Sequence, residues 1–222
     1  MFSLVALLHQ KFGCKGGTFK NGPSLSDEEE IGLTKDAPNQ TLKDAFQRGL
    51  KQHQEGQLSE ALATYQKILS IAPGHPDALH LLGMVYHLMD QSDLAEYSIR
   101  RAIRNEDLNP AFYRSLGKVL QAKKKHKEAI DSYRKAIEID PKSTDLWNDM
   151  GTAYLAISRI DVAADCFKHV LRIDKSNIFA NNNLGLVQRQ NGDLDASLDS
   201  FSRVLDLDPF SVEAHNNVGL LL

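Results

Sequence analysis

From Leu42 to the C-terminus, apolar and small residues return in a fixed order against a polar background. A small residue stands at Ala61, Ala95, Ala129, Ala163 and Ser197. Four positions later comes a large one, Tyr65, Ile99, Tyr133, Phe167 and Phe201, and three beyond that Ile68, Ala102, Ala136, Val170 and Val204. The spacing 0, 4, 7 is one face of an α-helix. A second apolar column, Leu82, Leu116, Met150, Leu184 and Val218, belongs to a different helix, with Tyr86 and Tyr154 one turn further along. Arg48 interrupts that column in the first unit, as expected of a terminal unit with no neighbour before it.

Glycine sets the period. Gly49, Gly83, Gly117, Gly151, Gly185 and Gly219 are each 34 residues apart, without insertion or deletion. A glycine within a helix costs about 1 kcal/mol relative to alanine, so six of them require a compensating gain. Close approach of two helices supplies it, because a missing side chain lets backbones pack at a distance no larger residue would allow. Pro73, Pro76, Pro110, Pro141 and Pro209 fall between units, where a helix's first-turn amides have no partner to lose. Each unit therefore predicts two helices of about 14 residues, about 21 Å long. One pair cannot bury its own apolar faces, and stacking pair on pair does. The expectation is an all-α, right-handed solenoid of antiparallel helix pairs, with five full repeats and the first helix of a sixth. The repeats start at Leu42, Pro76, Pro110, Thr144, Ile178 and Val212.

These residues resemble the tetratricopeptide repeat (TPR) family, whose pattern runs aromatic, Leu-Gly, Tyr, small, aromatic, Ala, Pro. The third unit carries it as Tyr113, Leu116, Gly117, Ala129, Tyr133, Ala136 and Pro141, and the fourth adds Trp147, Met150, Gly151, Tyr154, Ala163 and Phe167. Asp107 and Lys175 depart from the late proline, Ser197 from the alanine, and Gln52 and Gln188 from the tyrosine. The resemblance implies a TPR solenoid whose first helices line a concave groove for an extended peptide or a partner helix.

Composition narrows the partner. The 222 residues carry 26 Lys+Arg against 29 Asp+Glu, a formal net charge of −3. Such a balance supplies no broad positive field for a phosphate backbone, so nucleic acid is not an expected partner. No apolar run approaches the roughly 20 residues that a membrane span needs. Residues 1–41 hold glycines, two prolines and the acidic run Asp27-Glu28-Glu29-Glu30, and read as a largely disordered leader. Met1 to Leu8 has no preceding basic residue and does not read as a signal peptide. Cys14 and Cys166 form neither a disulfide framework nor a zinc spacing, which favours a reducing, cytoplasmic setting.

Counting along the first helices from each glycine gives the expected groove. It begins with Phe46, Leu50 and His53, continues through His80, Met84 and His87, and reaches Arg114, Lys118 and Gln121. It ends with Asn148, Asp149 and Thr152, then Asn182, Asn183 and Arg189, then Asn216 and Asn217. The lining thus passes from imidazoles through a cationic step to amides. Asparagine carries donors and an acceptor, so amides at a fixed repeat offset suit the main chain of an extended peptide. Asn183 and Asn217 stand two residues before their glycines, as in the asparagine ladder of TPR arms on protein O-glycosyltransferases, while Gln47, Leu81, Ser115 and Asp149 depart from it. Lys123, Lys124, Lys125 and Lys127 add a basic cluster that suits an acidic segment or a solvated turn. The Lys and Asn set of carboxylate-clamp TPRs is not present in three consecutive units.

His53, His80 and His87 lack a carboxylate or thiol to complete a zinc set, so no metal is expected. No phosphate loop, serine elbow or enclosed carboxylate pair appears, so neither catalysis nor a cofactor is expected. Val218, Leu221 and Leu222 lack a covering second helix, so that edge is expected to be adhesive, and self-association through it is one outcome. The sequence therefore reads as a noncatalytic protein-binding scaffold. The alternative is a substrate-recruiting arm of a larger, O-glycosyltransferase-like enzyme whose catalytic domain lies beyond Leu222.

Overall fold

The computed structural model describes residues 37–221. Most of the expected leader, with Cys14 and the acidic run, lies outside them, as does Leu222. Among the described residues there are eleven α-helices and no strand, in the unit Pro38–Leu222. The first three pairs are α1 (Ala37–Gln54) with α2 (Leu58–Ile71), α3 (Pro76–Leu88) with α4 (Ser92–Asn105), and α5 (Pro110–Ala122) with α6 (His126–Ile139). Then come α7 (Thr144–Ala156) with α8 (Ile160–Ile173), α9 (Ile178–Gln190) with α10 (Leu194–Leu207), and α11 (Val212–Gly219). Helix α1 begins at Ala37, ahead of the Leu42 start read from the repeat. The helices form a right-handed solenoid in which, from α2 onward, each packs on its chain neighbours, α1 meets α2 where Gly49 faces Tyr65, and the first helices α3, α5 and α7 also touch in succession.

The glycine column is the seam of each pair. A Cβ on Gly117 would lie 2.7 Å from Tyr133 Cζ, one on Gly151 2.7 Å from Phe167 Cε1, and one on Gly185 2.7 Å from Phe201 Cε1. In the second unit Ile99 takes the aromatic's place, its Cγ1 2.6 Å from the Cβ that Gly83 lacks. The small column sits beside it. Ala95, Ala129 and Ala163 are wholly buried, and Ser197 at the same place is satisfied because its hydroxyl donates to the Gly185 carbonyl at 2.8 Å. Hydrophobic burial therefore runs as a continuous strip through successive pairs, in which Leu116, Val119, Tyr133, Met150 and Ala153 belong to one cluster.

Both kinds of joint have a local cause. Between the two helices of a pair, one residue takes a left-handed backbone: Gly56 (φ 75°), Asp90 (57°), Lys124 (58°), Ser158 (58°) and Gly192 (85°). Between pairs, the first helices α3, α5, α9 and α11 start at side-chain caps, whereas Ser143 ahead of α7 makes no such bond. Asn109 Oδ1 accepts from the Ala111 amide at 3.1 Å, Asn177 Oδ1 from Ala180 at 2.9 Å, and His75 Nδ1 from Ala78 at 3.3 Å. Each cap satisfies one of the amides that a helix start leaves open.

Candidate functional site

Side chains of successive first helices meet one another, and the structure sorts the residues expected in the groove by their burial and partners. Phe46 and Leu50 do not line it. They are 4% and 8% exposed, and the capping His75 ring stacks on Phe46 at 5.5 Å with the Tyr65 ring 6.4 Å away. His80 is also buried, at 8% exposure, with its Nε2 hydrogen-bonded to Ser115 Oγ at 2.8 Å and its ring 4.8 Å from Phe112. Burial holds its pKa down to about 4, with neighbouring His53 adding to the effect. His53 and His87 are half-buried. The pKa of His53 is lowered by burial, and His87 Nδ1 has no partner among the described residues.

The cationic step is compensated by acids of the next unit. Arg114 Nε donates to Asp149 Oδ2 at 2.6 Å and its Nη1 to Asp145 Oδ2 at 2.7 Å, while Lys118 Nζ lies 3.7 Å from Asp149. Burial works against the guanidinium charge, but the two carboxylates outweigh it and the Arg114 pKa rises. The lysine turn is compensated likewise. Lys123 Nζ donates to Asp93 at 2.5 Å and Glu96 at 2.7 Å, and Lys125 lies 3.7 Å from Glu96.

The amides do not behave alike. Asn182 Nδ2 donates to Glu213 at 2.8 Å, and Asn217 Nδ2 donates to Asn182 Oδ1 at 3.4 Å. Arg189 Nη1 donates to Asn217 Oδ1, also at 3.4 Å. Asn216 is exposed. Asn183 Nδ2 donates to the carbonyl of Phe179 on its own helix at 2.8 Å. Asn148 is 6% exposed, its Nδ2 donates to the cap oxygen Asn177 Oδ1 at 3.3 Å, and its Oδ1 has no partner among the described residues. Polar side chains one unit apart thus meet across the inner face, and the sequence pattern alone did not show which amides these contacts occupy.

Other features bear on chemistry. Among the described residues, no group of three His, Cys, Asp or Glu is placed to hold a metal ion, and no helix is long and apolar enough to cross a membrane. Cys166 is buried, and desolvation pushes its thiol up to about 12.

Models of the tetratricopeptide repeat match residues 52–119, 148–212 and 182–222, and a further TPR repeat model matches residues 117–158. The chain belongs to the tetratricopeptide repeat family. It is similar to human tetratricopeptide repeat protein 7A, with 28% identity over 86 residues, which are 39% of this chain and 10% of that protein. The chain thus matches about a tenth of this curated relative's length. Among solved structures the array is similar to MamA, with TM-score 0.68 and 22% identity over 72% of this chain and 94% of that one. It is also similar to YrrB, described as a TPR protein with an unusual peptide-binding site, with TM-score 0.65 and 22% identity over 78% of this chain and 89% of that one. At these identities the likeness is one of fold.

Proposed function

We propose that this TPR array is a protein-interaction scaffold without catalysis of its own, and that the inner face of its first helices holds an extended peptide segment or a partner helix. One observation carries the reading. Side chains of successive first helices meet one another, His80 with Ser115, Arg114 with Asp149 and Asn217 with Asn182, which supports reading these helices as one lined face. On α9 the residues Phe179, Asn182, Leu186 and Arg189 share one helix face, and they place apolar side chains beside amide and guanidinium groups. That mixture suits a peptide, whose main chain needs hydrogen bonds and whose side chains need apolar cover. The peptide-binding site named for YrrB supports the reading by analogy of fold.

The test is direct. A peptide selected on the protein from a random phage-displayed library is titrated calorimetrically against the parent chain and two variants, Leu186→Arg on the inner face and Asp165→Arg on the exposed side of α8. Binding lost only in Leu186→Arg, with helicity retained, supports the groove. Binding lost only in Asp165→Arg contradicts it.

A further inference from the structure

The joint between the second and third units differs from the one after it. Five residues recur there at matching offsets: Arg100, Ile103 and Arg104 on α4 with Tyr113 and Leu116 on α5, and 34 positions later Arg134, Ile137 and Glu138 on α6 with Trp147 and Met150 on α7. The later set is closed. The Trp147 ring lies 4.0 Å from the His169 ring, its Nε1 donates to the Pro141 carbonyl at 3.0 Å, and Glu138 accepts from Lys135 Nζ at 2.7 Å. In the earlier set a smaller tyrosine stands in place of the tryptophan, and Lys135, at the offset of His169, is taken up by Glu138. What remains is an open cleft of about 290 Å³ lined by Arg100, Ile103, Arg104, Tyr113 and Leu116. The cations around it are unequal. Arg100 Nε donates to Glu96 at 2.9 Å, and Arg101 Nη2 donates to the Pro73 carbonyl at 2.8 Å. Arg104 is exposed, stands where the next unit has an acid, and makes no ion pair or hydrogen bond among the described residues.

We propose that this cleft is a second docking site, separate from the groove, which takes a bulky apolar side chain of a partner protein with a carboxylate beside it. Volume and charge argue for that occupant. The cleft falls at the lower end of the volumes that hold small ligands, about 300 Å³ upward, and so suits one side chain rather than a whole cofactor. Buried Leu116 and half-buried Ile103 offer apolar cover, half-buried Tyr113 a ring to pack against, and the arginine stems apolar flanks. The Arg104 guanidinium, with no acid among the described residues to meet it, is matched by a carboxylate, which its planar fork engages through two hydrogen bonds. Arg100 stays with Glu96 and forms a wall. An apolar anchor in a pocket with a charge pair at its edge is an arrangement by which a small area carries most of a binding energy. On α5 the cleft uses Tyr113 and Leu116, whereas the groove reading uses Arg114 and Lys118, so the two sites separate experimentally.

The experiment uses the full chain. A random phage-displayed peptide library is depleted on the variant Arg104→Glu, an exposed change that should retain parent helicity, and is then selected on the parent chain. The expected survivors carry an aromatic or large aliphatic residue next to Asp or Glu. A survivor titrated calorimetrically should lose about tenfold in affinity when its acid is replaced by the amide, the scale of a hydrogen bond to a charged group. Tyr113→Trp, which copies the residue that closes the next joint, should abolish binding while the melting temperature is kept. Leu186→Arg, in the groove, should leave binding unchanged. No survivors, survivors without an acid, or equal binding to Tyr113→Trp and the parent would each overturn the assignment. So would a peptide lost in Leu186→Arg and held by Tyr113→Trp, which belongs to the groove, or one displaced by inorganic phosphate alone, which marks a bare anion site. A parent chain that sediments as a dimer beside a monomeric Tyr113→Trp would put a second copy in the cleft and overturn it as well. None of these results but the groove-bound peptide bears on the groove, which Leu186→Arg tests separately.

Discussion

The Tyr133 ring fills the space that a Cβ on Gly117 would need, its Cζ only 2.7 Å from that point. The relationship links two helices that the chain separates by one turn, and it explains why a residue unfavourable to helices recurs where a helix is required. Gly117→Ala should therefore overpack the seam and cost about 1 to 3 kcal/mol. Gly219, with nothing among the described residues within 4 Å of the same position, provides the internal control. Gly219→Ala should be neutral or stabilising by up to about 1 kcal/mol, since alanine is the better helix former. Denaturant unfolding of both variants checks the pair, and equal losses would contradict the register.

A pH dependence follows from His80. Its ordinary pKa of 6.5 falls to about 4 in the folded chain, so between those values the unfolded chain binds the proton and the folded chain does not. Stability is thus present in full above pH 6.5 and is lost as the pH falls toward 4. The loss is of order 3 kcal/mol at 1.4 kcal/mol per unit, and His53, whose pKa is lowered in the same direction, adds to it. His80→Gln should flatten the curve over this window. Unfolding free energies at neutral pH and near pH 5, compared between parent and variant, give the answer, and parallel curves would exclude His80 as the source.

The left-handed turn residues give a prediction of opposite signs at equivalent places. Gly192 has φ 85° and open space around it, so Gly192→Ala should cost about 1 kcal/mol through backbone strain alone. Ser158, at φ 58°, already bears that strain, and Ser158→Gly should stabilise by roughly 0.5 to 1 kcal/mol. Thermal melts of the two variants that shift in the same direction would contradict the turn assignment.

Cys166 should be inert in the native chain, because it is buried and its thiol stays protonated far above neutrality. Alkylation followed by peptide mapping should leave it unmodified until denaturant is added. Native labelling at Cys166 would show that the pairing of α7 with α8 opens far more readily than its packing implies.

What the sequence disclosed was what repeats. Gly117 and Tyr133 stand at the same offset in unit after unit, and periodicity exposes a shared steric constraint even when the side chains change, as with Ile99. Ser197 looked like a defect in the small column, and its bond to the Gly185 carbonyl shows the column tolerating a hydroxyl that finds an acceptor. The inner face was harder to read because its contacts join different units and depend on pairs of residues. Asn183 and Asn217 are indistinguishable by offset. Only their neighbours separate them, since Arg189 and Asn182 hold Asn217 while Asn183 finds its own helix first. Phe46 and Leu50 were expected in the groove by their offset alone, and the stacked His75 cap covers Phe46 from a direction that no periodicity contains. The left-handed turns were visible where glycine marks them, at Gly56 and Gly192, and hidden at Asp90, Lys124 and Ser158.

The central claim is that a peptide lies along the inner face of the first helices. Amide chemical-shift mapping of the isotope-labelled chain with a selected peptide tests it most directly. The account predicts perturbations concentrated on α5, α7 and α9, around Lys118, Thr152, Asn183 and Leu186, with the exposed sides of α6, α8 and α10 unaffected. Perturbations centred on those second helices instead, around Asp131, Asp165 and Asp199, would contradict it.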